Sequence, residues 1–78
     1  MRLTKTELAA QVGKRIRELR RQKNISMESL AYAAGIEYAQ LSRIELGKIN
    51  TSVYQLYLLA EILERPLADF FEPEPVMK

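Results

Sequence analysis

The run MESLAYAAGIEYAQLSRI, residues 27–44, reads as two short helices with a turn between them. Its apolar side chains recur at intervals of three and four, the helical period, rather than at the two of a strand. Ser26 precedes the first of these helices, Met27–Ala34, as an N-cap whose hydroxyl accepts from an otherwise unpartnered backbone N–H. Gly35 closes it, being the residue most at ease in the left-handed conformation that such endings use. The next helix spans Tyr38–Leu46, and Gly47 ends it in the same way. Ala31, Ala34 and Gly35 are small where the two helices must approach, and Leu30, Ile36, Leu41 and Ile44 form the apolar wedge that sets their crossing. A helix propped outward like this matches the major groove of DNA, about 12 Å wide.

Outward from this pair the same period continues. A first helix from Thr4 or Thr6 to Gln22 carries Leu8, Val12, Ile16 and Leu19 on one stripe, with Asn24 ending it. Downstream, Ser52 and Gln55 form a capping-box pattern for a helix over Val53–Leu63, with Leu56, Leu59, Ala60 and Leu63 inward. Pro66 suits the first turn of a short fifth helix ending at Phe71. The expected fold is all-α, a compact five-helix domain over residues 1–72, followed by a flexible tail, residues 73–78, that holds two prolines.

Composition narrows the chemistry. In 78 residues there is no cysteine and no histidine, so thiolate sites and the commonest general base and metal ligand are absent. No nucleophile–base pair, metal cluster or glycine-rich phosphate loop is visible, and an enzyme is not expected. Neither a metal nor a cofactor is expected, and no small-molecule ligand. No apolar run approaches the roughly 20 residues that span a bilayer, so neither is a membrane partner, and a cytoplasmic location fits. The formal net charge is only +2, but it is polarised: residues 1–24 carry eight basic side chains against Glu7 and Glu18, and the remainder is acidic. Such asymmetry suits one basic face for a polyanion.

Five pieces in order, GKRIRELRRQKNIS (13–26), SLAYAAG (29–35), LSRIELGK (41–48), LLAEIL (58–63) and LADFFE (67–72), make the chain resemble the XRE/Cro-type helix-turn-helix regulators, which have a phage-repressor-like DNA-binding domain. The resemblance covers about residues 12–72. It implies a sequence-specific transcriptional regulator, a repressor more than an activator, that binds double-stranded DNA at a two-fold operator as a homodimer. Carried over by position, Glu37, Tyr38, Ala39, Ser42 and Arg43 would meet bases, Arg43 through two donors to guanine O6 and N7. Ser26, Met27, Gln40, Lys48 and Asn50 would face phosphates. Met27 is a departure, standing where the family often has a glutamine that clamps a phosphate. Glu37 is another, standing where serine or threonine usually caps the recognition helix; its charge repels phosphate and suits cytosine N4. Arg20 and Glu45 occupy the positions of a partly buried ion pair in such proteins. Lys14, Arg15 and Arg17 read as a solvated face, and Arg2 and Lys5 as a weak candidate for an arm.

The apolar surplus near the C-terminus is the expected dimer seam. Tyr54, Tyr57, Leu58, Phe70 and Phe71 are its candidates, although Leu67, Phe70 and Phe71 would equally complete the small core. Two other readings stay open at this point. One is an antitoxin or restriction–modification controller protein of the same fold. The other is a protein-interaction module that has lost DNA binding, which Met27, Glu37 and the low net charge favour.

Overall fold

In the computed structural model, which describes residues 2–71, the threonine at position 4 starts the first helix. Its Oγ1 accepts from the Glu7 N–H at 3.0 Å, and the Glu7 carboxylate accepts from the Thr4 N–H at 2.8 Å. This reciprocal box satisfies two donors that a helix start would otherwise strand. α1 runs Lys5–Gln22, and the chain then reverses through Asn24 at φ 61°, a left-handed position asparagine tolerates. α2 is Met27–Ala34, with the Ser26 hydroxyl accepting from the Ser29 N–H at 3.0 Å. Gly35 closes it at φ 71°, and the Ile36 N–H donates back to the Ala31 carbonyl, the bond pattern of a left-handed helix ending.

α3 spans Tyr38–Glu45, one residue shorter than expected, because Leu46 already serves as its C-cap. α4 is Val53–Leu63. Only half of its expected capping box forms: the Ser52 hydroxyl accepts from the Gln55 N–H, but the Gln55 Nε2 is buried with no partner among the described residues. The structure also corrects the expectation of a fifth helix. Leu67–Phe71 is a single 3-10 segment, with the Asp69 N–H bonded to the Pro66 carbonyl. Five residues are too few to repay an α-helical nucleus. The carbonyls of Asp69 and Phe71 accept instead from Arg15 Nε at 2.9 Å and Gln11 Nε2 at 3.0 Å. The chain therefore forms four α-helices and a closing turn, all helical among the described residues; the expected tail, residues 73–78, lies outside them.

α1 packs on α3 and on the closing turn, while α2 packs on α3 and α4. Ile16, Leu30, Leu41, Leu59 and Phe70 are fully buried at the centre, joined by Val12, Leu19, Ala31, Ile44, Leu56, Ala60 and Leu63. Three expectations change here. Leu8 remains 38% exposed, because it lies near the start of α1, where it borders an open groove instead of the core. Phe70 fills the core and offers no surface to a dimer seam, whereas Phe71 is 40% exposed. Arg15 is not on a solvated face: it is buried, bonded to the closing turn and 3.5 Å from Glu18.

At the other end of α1, Lys23 Nζ donates to Glu64 Oε1 at 2.6 Å, joining the ends of α1 and α4. That hydrogen bond, then the charge of Lys23, lowers the Glu64 pKa below its ordinary value of 4.5. A lowered carboxyl pKa stabilises the fold above the unfolded-state value, and the gain is lost as pH falls through the folded one. Lys23→Ala is expected to return the Glu64 titration, followed by NMR of its carboxyl carbon, to the ordinary glutamate range. A midpoint that stays low in the variant would assign the shift to something other than Lys23.

Candidate nucleic-acid interface

α3 is held from behind and from its far end. Leu41 and Ile44 are buried on its inner face. Gly13 brings α1 so close that a Cβ built there would lie 2.2 Å from the Ile44 carbonyl oxygen and 2.7 Å from that of Glu45. Only a residue without a side chain permits this approach. Beside it, Arg20 Nε donates to Glu45 Oε2 at 2.7 Å and Arg20 Nη2 to Glu45 Oε1 at 3.1 Å. The remaining terminal nitrogen, Nη1, donates to the Ile25 carbonyl at 3.0 Å. One buried guanidinium thus ties α1 to the entry of α2 and to the end of α3. Its two-pronged geometry fits a carboxylate as lysine would not.

What this leaves facing solvent is the other side of α3. Glu37, Tyr38, Ala39 and Arg43 are exposed, and Ser42 and Gln40 are half-buried. Among the described residues, no side chain of Glu37, Tyr38, Gln40, Ser42 or Arg43 forms a hydrogen bond or ion pair. Glu37 occupies the N-cap without capping, so the leading N–H groups of α3 have no side-chain acceptor. Tyr38 borders a groove with Ser26, Met27 and Glu28 at the start of α2. Gln40 lines an adjoining groove with Tyr32 and Gly35, which Tyr38 and Glu28 also border. Lys48 is exposed, and its backbone N–H folds back to the Arg43 carbonyl at 2.9 Å.

Not every expected residue gathers here. Asn50 lines an apolar groove of about 190 Å³ with Leu8, Val12 and Phe71, apart from the grooves that Tyr38 and Ser42 border. Met27 is half-buried against the core, so its side chain serves packing and offers no strong donor. Conversely, Arg17 and Arg21 line a groove with Met27, Ser42 and Leu46, beside the outward side of α3. Sequence alone places Arg17 on a solvated face and assigns Arg21 no part. Among the described residues, no group of three or more potential ligands could hold a metal ion, and no helix is long and apolar enough to cross a membrane.

Known proteins share this architecture. A family model described as helix-turn-helix matches residues 16–70. An uncharacterised HTH-type transcriptional regulator of Rickettsia conorii is 36% identical over 72 residues, covering 83% of this chain and 58% of its own length. The HTH-type transcriptional regulator PuuR of Escherichia coli is 33% identical over 63 residues, covering 80% of this chain and 34% of its own. The chain thus spans between about a third and three-fifths of these relatives' length. Among solved structures, the restriction-modification controller protein C.AhdI from Aeromonas hydrophila superposes with a TM-score of 0.78 at 32% identity, over 81% of this chain and 96% of that one. The clp gene regulator ClgR from Corynebacterium glutamicum gives 0.79 at 27% identity, over 81% and 67%.

Proposed function

This chain belongs to the helix-turn-helix family, and from that premise we propose that it is a sequence-specific regulator of transcription that sets α3 into the major groove of double-stranded DNA. The observation that carries this reading is the contrast between the two sides of α3. The inner side and far end are fixed by Leu41, Ile44, Gly13 and the Arg20–Glu45 pair, while the polar outer side bonds to nothing among the described residues. Positioning without engagement is what a base-reading element needs.

On this reading Arg43, Tyr38, Ala39, Ser42 and Glu37 meet base edges, and Ser26, Gln40 and Lys48 meet phosphates. Repression, by occupying a promoter, is the mode proposed, with the cytoplasm as the location. A unit of this size makes few contacts, so we place a second copy on a two-fold site. Tyr54 and Tyr57, 67% and 47% exposed with ring centroids 6.3 Å apart, support a seam on α4, to which Leu58 and Phe71 are also assigned. The likeness to C.AhdI, nearly all of which the chain covers, supports a restriction–modification controller as a second, narrower form of this reading.

Selection of bound duplexes from random sequence, at stated ionic strength, tests the proposal. Enrichment of one motif is expected, and equal recovery of all sequences would refute specific reading. On the enriched site, Arg43→Ala is expected to lose about 1–3 kcal/mol and to relax preference at one base pair. An equal loss on every duplex would make Arg43 a phosphate contact instead.

A further inference from the structure

The cations of this protein are unevenly engaged. Arg15, Arg20, Lys23 and Arg65 each have an acidic partner, respectively Glu18, Glu45, Glu64 and Asp69. Arg17 and Arg21 have none among the described residues, and they stand four apart on α1, hence on one face, where like charges repel. Their face is not remote from the proposed interface: both side chains line the groove that Ser42 and Leu46 of α3 and Met27 of α2 complete. Met27 and Leu46 bring no strong hydrogen-bond donor to that flank, and Arg20 is already taken up by Glu45 and the Ile25 carbonyl. The donors left there are Ser42 and the two arginines.

The geometry points to Arg17 and Arg21 as a backbone clamp that holds one phosphodiester strand along the α1 side of α3, a role resting on the DNA-binding reading above. A helix lying in the major groove has its tip toward the bases and its flanks toward the two phosphate walls. Guanidinia placed on a flank therefore meet phosphate oxygens, which they bind with two parallel donors. The partner is the sugar–phosphate backbone whatever its sequence, so the clamp contributes affinity and registration and leaves base preference to α3. It also offsets the repulsion between the two arginines, neither of which forms an ion pair among the described residues.

The test compares Arg17→Ala/Arg21→Ala with the unaltered protein on the enriched duplex and on a random-sequence duplex, across a series of KCl concentrations. Each lost phosphate contact flattens the slope of log affinity against log salt by about 0.9. The double variant is expected to be flatter by about two units on both duplexes, with the preferred motif unchanged. Arg17→Lys/Arg21→Lys should restore most of the slope. Lys23→Ala/Arg65→Ala, which loses the same charge away from α3, should leave it unaltered. Circular dichroism and melting confirm that each variant folds. An unchanged slope in the Arg17→Ala/Arg21→Ala variant, while the unaltered protein binds, would overturn the clamp and leave the functional reading standing. Equal flattening by the Lys23→Ala/Arg65→Ala variant would also overturn it, by showing that net charge alone is at work. Failure of the unaltered protein to bind any duplex would remove the functional reading and the clamp together.

Discussion

Gly13→Ala is expected to destabilise the protein by about 3 kcal/mol or more, although the same change in an isolated helix would stabilise it by about 1 kcal/mol. The two effects have opposite signs, so the experiment is decisive. The added methyl would sit 2.2 Å from the Ile44 carbonyl oxygen, and the obstacle is backbone, which no rotamer change relieves. α1 would have to withdraw from α3, opening the core around Ile16, Leu41 and Ile44. Urea unfolding monitored by circular dichroism measures the difference. A gain in stability from Gly13→Ala would show that the helices are not in contact there.

Glu45→Ala follows closely in size. Glu45 is 4% exposed and Arg20 8%, so removing the carboxylate strands a buried guanidinium and should cost about 3–5 kcal/mol. A domain of this length has a total stability of roughly 4–12 kcal/mol, so the variant will be near or past its folding limit. At about 4–8 °C per kcal/mol, the melting temperature should fall by tens of degrees. Replacing both partners by apolar residues, as in Arg20→Met/Glu45→Leu, should recover much of the loss, since no charge is then left unpaired. Loss below about 1 kcal/mol for Glu45→Ala would place the pair among screened surface bridges. If the apolar pair melts normally but binds DNA weakly, the ion pair sets the aim of α3 more than the stability of the fold.

The parts of the fold legible in the sequence are those with local signals. Ser26 and Ser52 announce helix starts because a cap acts within three residues of itself, and Gly35 announces an end for the same reason, whereas the start of α1 is narrowed only to Thr4 or Thr6. The inward positions of α4 follow from periodicity alone. Features set by distant neighbours are not legible. Phe70 and Phe71 are adjacent and alike, and only the placement of the closing turn against α1 buries one and exposes the other. Arg15 looks like its surface neighbours until Asp69, 54 positions away, offers a carbonyl. A glycine within a helix, such as Gly13, gains meaning only once α3 is known to cross it. The outer side of α3 can be read from its period, but the nearness of Arg17 and Arg21 depends on how α1 crosses it. The Arg20–Glu45 pair, 25 positions apart, follows from family resemblance and not from any spacing rule.

The uneven fastening of α3 bears on how strictly it can discriminate. Two of its restraints, the touch at Gly13 and the carboxylate of Glu45, grip the trailing turn, whereas the leading turn rests on buried Leu41 and begins at an acid that caps nothing. For a protein that reads DNA as proposed, the tip would be the more easily re-aimed end and the base the more firmly held. Such a tip would re-aim the Tyr38 ring over a changed base pair at small cost, while Arg43, two residues before the gripped carboxylate, would have to find its proposed guanine or forgo it. On that proposal the vocabulary is graded, forgiving beneath Tyr38 and Ala39 and exacting beneath Arg43, so that imperfect target sites would be bound with ranked strengths.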